Sequence, residues 1–198
     1  MGRRGNLLGL AVLSYLSGRP MHPYELSRTM RDNDDARSIK FSHGSLYMVF
    51  GQLAKAGLIV EQETTREGQR PERTVYALTD AGRTELQEWM RELVADPGHE
   101  YPRFVAALSL IGALHPDEVV ELLHERRRRL SARQAEIRTL IDDTVAAGTH
   151  PLFLVEEDYR LALLEADQAF TTRFIDRIDN DWGRQWAAFH HDMEERQA

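Results

Sequence analysis

The sequence contains no cysteine, which excludes disulfide frameworks, thiolate zinc sites and thiol nucleophiles and fits a reducing, cytoplasmic setting. Lysine is nearly absent too: Lys40 and Lys55 stand alone among 25 basic residues, and arginine carries the rest of the positive charge. No run of about 18 uncharged apolar residues occurs, so a membrane-spanning helix and a membrane partner are not expected. The apolar stretch Leu7 to Leu16 is broken by glycine and serine, and no small-residue cleavage site follows it. A signal peptide is therefore not expected. The G-x-S-x-G, H-E-x-x-H and G-x-x-x-x-G-K-[ST] signatures are all missing, which disfavours catalysis. No cofactor and no metal is expected either, since His190-His191-Asp192 lacks the spacing of a closed metal site.

What is present is 198 residues, 42% of them hydrophobic, enough for one sizeable core or two small ones. The formal charge of −7 hides an asymmetry. Residues 1–95 hold 13 basic against 12 acidic side chains, whereas residues 96–198 hold 12 against 20. A polyanion can meet only the first half, through a local basic face; the second half repels it.

The first half reads as helices followed by a hairpin. Leu7, Leu8, Leu10, Ala11, Leu13 and Leu16 recur at helical spacing and stop at Gly18-Arg19-Pro20. A second helix fits His22 to Arg31, with Leu26 and Met30 facing inward. A third fits His43 to Ala56, with Leu46, Val49, Phe50 and Leu53 as its buried stripe, Ser42 as N-cap and Gly57 as left-handed C-cap. The period then changes: Leu58 to Thr64 and Arg73 to Thr79 read as strands around a polar, glycine- and proline-containing loop. Asp80 is expected to cap a further helix through Leu86, Trp89, Met90 and Leu93, and Pro97-Gly98 marks a domain boundary.

Three helices followed by a two-stranded hairpin is the order of a winged helix-turn-helix. In that arrangement the third helix reads base edges in the major groove, and the hairpin tip reaches backbone or minor groove. The residue types agree. Ser42, His43, Gly44 and Ser45 open the third helix with small or hydroxyl-bearing side chains and free backbone N–H groups, Tyr47 follows, and Lys40 stands just upstream. In the hairpin loop Arg66, Gln69, Arg70 and Arg73 suit phosphate or a narrow groove. The plainer alternatives are that Tyr24 and Tyr47 cap the core with their hydroxyls in water, and that the loop arginines are ordinary solvated charge.

His22-Pro23-Tyr24-Glu25-Leu26, Ser42-His43-Gly44-Ser45-Leu46-Tyr47 and Tyr76-Ala77-Leu78-Thr79-Asp80-Ala81-Gly82-Arg83 resemble, in this order, the motifs of PadR-type transcriptional regulators. The resemblance covers roughly residues 5–95, and the remainder is similar to the helical dimerisation region of the longer members. It implies a homodimeric repressor, usually responsive to a small molecule, on a palindromic operator of double-stranded DNA. It also implies DNA contacts at Tyr24, Ser42, Gly44, Ser45, Tyr47, Arg66 and Arg70. Pro23 stands where the family usually has glycine and Met48 where it usually has proline; Pro23 fits the first turn of a helix, so altered geometry with retained binding is expected at that position.

The second half reads as all helical. Phe104 to Leu114 is short and apolar, and Pro116-Asp117-Glu118 starts a long helix with Leu123, Leu130 and Ile137 every seven residues. A final helix from about Glu156 carries Leu163, Phe170, Phe174, Ile178, Trp182 and Trp186. The seven-residue seam and the aromatic stripe are expected to pair across subunits of a homodimer. Trp89, Phe170, Phe174, Trp182 and Trp186 are candidate walls of a pocket for a small aromatic or cationic effector, with helical core as the plainer reading. Such an effector is expected between the C-terminal helices and the wing domain. Arg126-Arg127-Arg128-Arg129 reads as a salt-bridged helix surface with acidic neighbours rather than a second DNA site.

The expected architecture is mainly α: a winged helix-turn-helix over residues 1–97 and a helical dimerisation and effector domain over 98–198. The rival is a winged-helix protein–protein interaction or ligand-binding module that does not bind DNA.

Overall fold

A computed structural model describes residues 6–62 and 74–195, so Arg66, Gln69, Arg70 and Arg73 lie outside the described residues. Two compact units divide the chain, Met1–His99 and Glu100–Ala198.

In the first unit, helix α1 (Leu7–Gly18) is apolar almost all round and forms the centre, with Val12 and Leu13 fully enclosed. It packs against α3 (His43–Lys55), α4 (Asp80–Ala95) and the hairpin β1 (Ile59–Gln62) and β2 (Val75–Leu78). Helix α2 (Pro23–Asp32) opens on Pro23, where a missing N–H costs nothing, and His22 Nδ1 accepts from the Tyr24 amide at 3.0 Å. The strands pair antiparallel from Ile59 opposite Leu78 to Gln62 opposite Val75, and Met21 adds one rung against Tyr76. Tyr15 of α1 donates to Asp35 at 2.6 Å and accepts from Asn33 at 2.8 Å, tying α1 to the turn after α2. Burial, with the Asp35 carboxylate beside it, pushes the phenol up to about 12, so it keeps its proton as a donor.

The cap of α4 differs from the sequence expectation. Thr79, not Asp80, is the N-cap: its hydroxyl accepts from the Gly82 amide at 3.0 Å and faces the carbonyls of Gly57 and Leu58 at 2.8 and 3.0 Å. Asp80 is instead the first helical residue, where its carboxylate complements the helix dipole. Thr79 wins because one hydroxyl can both accept and donate, joining α4 to the turn between α3 and β1; a carboxylate only accepts. Gly82 completes the joint by lying directly on the Leu58 carbonyl.

The second unit contains α5 (Arg103–Ser109), the long α6 (Pro116–Ala146), α7 (Val155–Arg177) and α8 (Gly183–Glu195). The apolar stretch from Phe104 stops as α-helix at Ser109 and tightens into a 3-10 turn at Ile111–Ala113. The expected single final helix is two, joined through a π-helical turn at Ile178–Trp182. The seven-residue seam is a second correction: Leu123, Leu130 and Ile137 are buried within one chain, where α6 packs on α7. Arg126 forks Asp167, Arg138 meets Glu165 at 2.7 Å and Gln134 reaches Gln168 at 3.0 Å, so polar pairs flank the same joint. The helical pair satisfies the seam without a partner, since 31 and 23 residues are long enough to cover each other. The rest of the arginine run pairs locally: Arg128 and Arg129 with Glu125, and Arg127 with His124 at 3.3 Å.

A Cβ at position 82 would stand 2.0 Å from the Leu58 carbonyl oxygen and 2.7 Å from Leu78 Cδ1. Gly82→Ala is expected to cost about 2–3 kcal/mol of stability in urea denaturation followed by circular dichroism. An unchanged midpoint would show that this joint is looser than the structure has it.

Candidate functional site

Helix α3 starts with two reciprocal bonds. Ser42 Oγ accepts from the Ser45 amide at 3.1 Å, and Ser45 Oγ accepts from the Ser42 amide at 2.8 Å. Their hydroxyls are thus committed to the cap, which fixes where the helix begins. The backbone N–H groups of His43 and Gly44, in the first turn, have no partner among the described residues. They carry the positive end of the helix dipole, and exposed Lys40 lies three residues upstream of His43 in the chain.

Burying Leu46, Val49, Phe50 and Leu53 commits the opposite face outward. Gly44, Tyr47, Met48, Gly51 and Lys55 occupy it, all exposed at helical spacing. Gly44 and Gly51 meet nothing within 4 Å at the position of a Cβ, so the fold itself does not require glycine at either place. Close approach by another molecule is the remaining physical use of a bare backbone on a helix surface.

The aromatic residues meet at the α2–α3 corner. The His43 ring stands edge-on to Tyr24 at 5.6 Å and to Tyr47 at 5.5 Å, and His22 lies 6.3 Å from Tyr47. Buried Ser27 lies 3.1 Å from His43 Nδ1 and accepts from Arg31 at 2.8 Å. Tyr24 and Tyr47 are 51% and 45% exposed, and their hydroxyls have no hydrogen-bond partner among the described residues.

The structure therefore gathers Tyr24, Ser42, His43, Gly44, Ser45 and Tyr47 at one end of α3, with Lys40 just upstream in the chain. The sequence reading missed Gly51 and Lys55. Their spacing of seven and eleven from Gly44 was the available signal.

In the second unit, Phe170, Phe174, Trp182 and Trp186 line one open cavity of about 720 Å³ with Arg173 and Arg177. Trp89 does not belong with them. It is a core residue of the first unit, 3% exposed, with its ring against Gly9 of α1. Helical spacing cannot distinguish a core aromatic from a pocket wall, which is why the sequence grouped them.

Three helices, a hairpin and an outward third helix define a winged helix-turn-helix. Residues 12–88 match the transcriptional regulator PadR-like family. It is 21% identical over 153 residues to the negative transcriptional regulator PadR of Bacillus subtilis (strain 168), covering 77% of this chain and 82% of that protein. Solved structures of Bacillus subtilis PadR share the fold. The complex with operator DNA matches with a TM-score of 0.68 at 18% identity, over 87% of this chain and 97% of that one. The complex with p-coumaric acid matches with 0.69 at 16% identity, over 91% and 99%. These relatives are described as regulators, not enzymes.

Gly51→Ala is expected to raise the unfolding free energy by up to about 1 kcal/mol, because an exposed mid-helix glycine gains propensity and meets open space. Urea denaturation checks it; a loss of stability would show that the space beside α3 is filled.

Proposed function

We propose that this protein is a homodimeric transcriptional repressor that places the outward face of α3 in the major groove of an inverted-repeat operator. The observation that carries the reading is that face: two glycines with no structural need, two half-exposed tyrosines and free amides at the helix start. In this reading Tyr24, His43 and Tyr47 offer their polar edges to bases or phosphate, and Lys40 with the His43 and Gly44 amides takes a phosphate. Ser42 and Ser45 hold the helix start in register, and Arg66, Gln69, Arg70 and Arg73 supply the wing contact. The named activity of the Bacillus subtilis relative, and its structure with operator DNA, support this.

One α3 spans only a few base pairs, so dimerisation is part of the mechanism: two copies about one DNA turn apart read two half-sites. With the α6 seam closed inside the chain, the dimer surface falls to what stays exposed. Leu152, Phe153, Val155, Tyr159 and Leu163, at and before the start of α7, are each more than half exposed. A second copy covering them removes that apolar area from water. A small molecule bound by the second unit would release the operator to the extent that it prefers the non-binding arrangement of the two heads. The relative's structure with p-coumaric acid supports such an effector. In this reading the protein acts on DNA in the cytoplasm; among the described residues no helix is long and apolar enough to cross a membrane.

A gel-shift titration on DNA selected by the protein from its source genome tests the reading. Affinity is expected to fall steeply with salt, and Arg66→Ala/Arg70→Ala to weaken binding several-fold with a slope shallower by roughly 1–2. Tyr47→Phe is expected to weaken binding through its hydroxyl alone. Salt-independent binding, or none to any genomic fragment, would contradict it.

A further inference from the structure

We infer that Met48 selects a thymine in each half-site, by packing its thioether on the C5-methyl group of that base in the major groove. The inference rests on the proposal that the outward face of α3 enters that groove.

Met48 is 62% exposed, more than any other large hydrophobic side chain of α3. A single apolar side chain on a surface is ordinary and carries no meaning by itself. Its neighbours give it one. On a helix the positions that cover residue 48 are 44 and 45 on one side and 51 and 52 on the other. Gly44 and Gly51 bring no side chain, and a Cβ at either would meet nothing within 4 Å. Ser45 turns its hydroxyl into the helix cap, and Gln52 is polar. No apolar neighbour on α3 therefore shields the Met48 side chain, and the bare backbone on both sides leaves it standing proud of the helix surface.

Such a knob fits one feature of the major groove. Base edges there display hydrogen-bond donors and acceptors, and the one methyl group among them is the C5 methyl of thymine. Methionine has no donor and only a weak acceptor, so it cannot read the polar pattern. It can cover a methyl group, because three rotatable bonds and a soft, polarisable sulfur let it lie flat on a small apolar target. With glycine on both flanks, the helix backbone can approach the base edges closely enough for that contact. Turned toward the phosphates instead, the same side chain would desolvate charged oxygens without offering a donor. Tyr47, the adjacent residue, is half-exposed with a hydroxyl that no described residue engages. Tyr47 then reads by hydrogen bond and Met48 by shape.

The test uses the full-length protein and an operator fragment that it selects from its source genome, with binding followed by fluorescence anisotropy. Each thymine is replaced in turn by deoxyuridine, which keeps every hydrogen-bonding edge and removes only the methyl group. Replacement at one symmetry-related thymine is expected to weaken binding about fourfold per half-site, the worth of one buried methyl group, and about fifteenfold when both halves carry it. Met48→Ala and Met48→Gln should bind the unaltered operator more weakly and lose that sensitivity, whereas Met48→Leu should keep it. Binding indifferent to every thymine replacement would overturn the inference, as would a sensitivity that is the same in Met48→Ala, where the methyl acts through another side chain or through duplex shape. In both cases DNA binding is retained and the regulator reading stands. Failure of the unaltered protein to select any DNA removes that reading and this inference with it.

Discussion

The start of α3 is the constraint on which the rest depends. A helix rotates about 100° per residue, so a shift of one residue in where α3 begins would swing Tyr47 and Gly51 away from solvent and expose Phe50. The reciprocal Ser42–Ser45 bonds fix the first residue, and Leu46, Val49, Phe50 and Leu53 lock the rotation by fitting the core around α1. Gly57, at φ +71°, then ends the helix and turns the chain into β1. Cap, stripe and stop therefore act on a single degree of freedom, the angle at which one helix face meets its surroundings. The α2–α3 corner adds the Ser27–His43 contact, so the two helices present their aromatic side chains together.

The second unit solves a different problem. Its two longest helices close their apolar seam on each other and reinforce it with ion pairs such as Arg126–Asp167, where Arg126 also lies 3.5 Å over the Phe104 ring. What they leave uncovered is divided between an apolar patch at the start of α7 and an aromatic cavity at its end. Under the proposed dimer, one helix would carry both the partner surface and the cavity, so a ligand that altered the geometry near Phe174 would act on the element that meets the second copy, and linkage would require DNA to oppose the ligand to the same extent that the ligand opposes DNA.

Much of the first unit was legible because its signals are local. Ser42 before an apolar stripe, Gly57 after it and Pro23 at a helix start each act within one turn, so sequence alone locates them. Asp80 was assigned the cap that Thr79 holds because the deciding partner, the Leu58 carbonyl, is 21 residues away in sequence. The seam of Leu123, Leu130 and Ile137 has the period of an interchain coiled coil, and period does not say whose helix fills the groove. Trp89 and Trp186 look alike in sequence and differ only in what surrounds them. The π turn has no sequence signature beyond Gly183, and it is what aligns the aromatic wall. Gly44 and Gly51 became informative only once the structure had shown nothing beside them.

Hydroxyl-radical footprinting on a DNA fragment that the protein selects from its source genome tests the central claim most directly. Two protected patches related by a two-fold axis, with centres about 10 base pairs or a whole multiple of that apart, are predicted for two copies of α3 in successive major grooves. A single patch without symmetry, or uniform protection independent of sequence, would contradict the account.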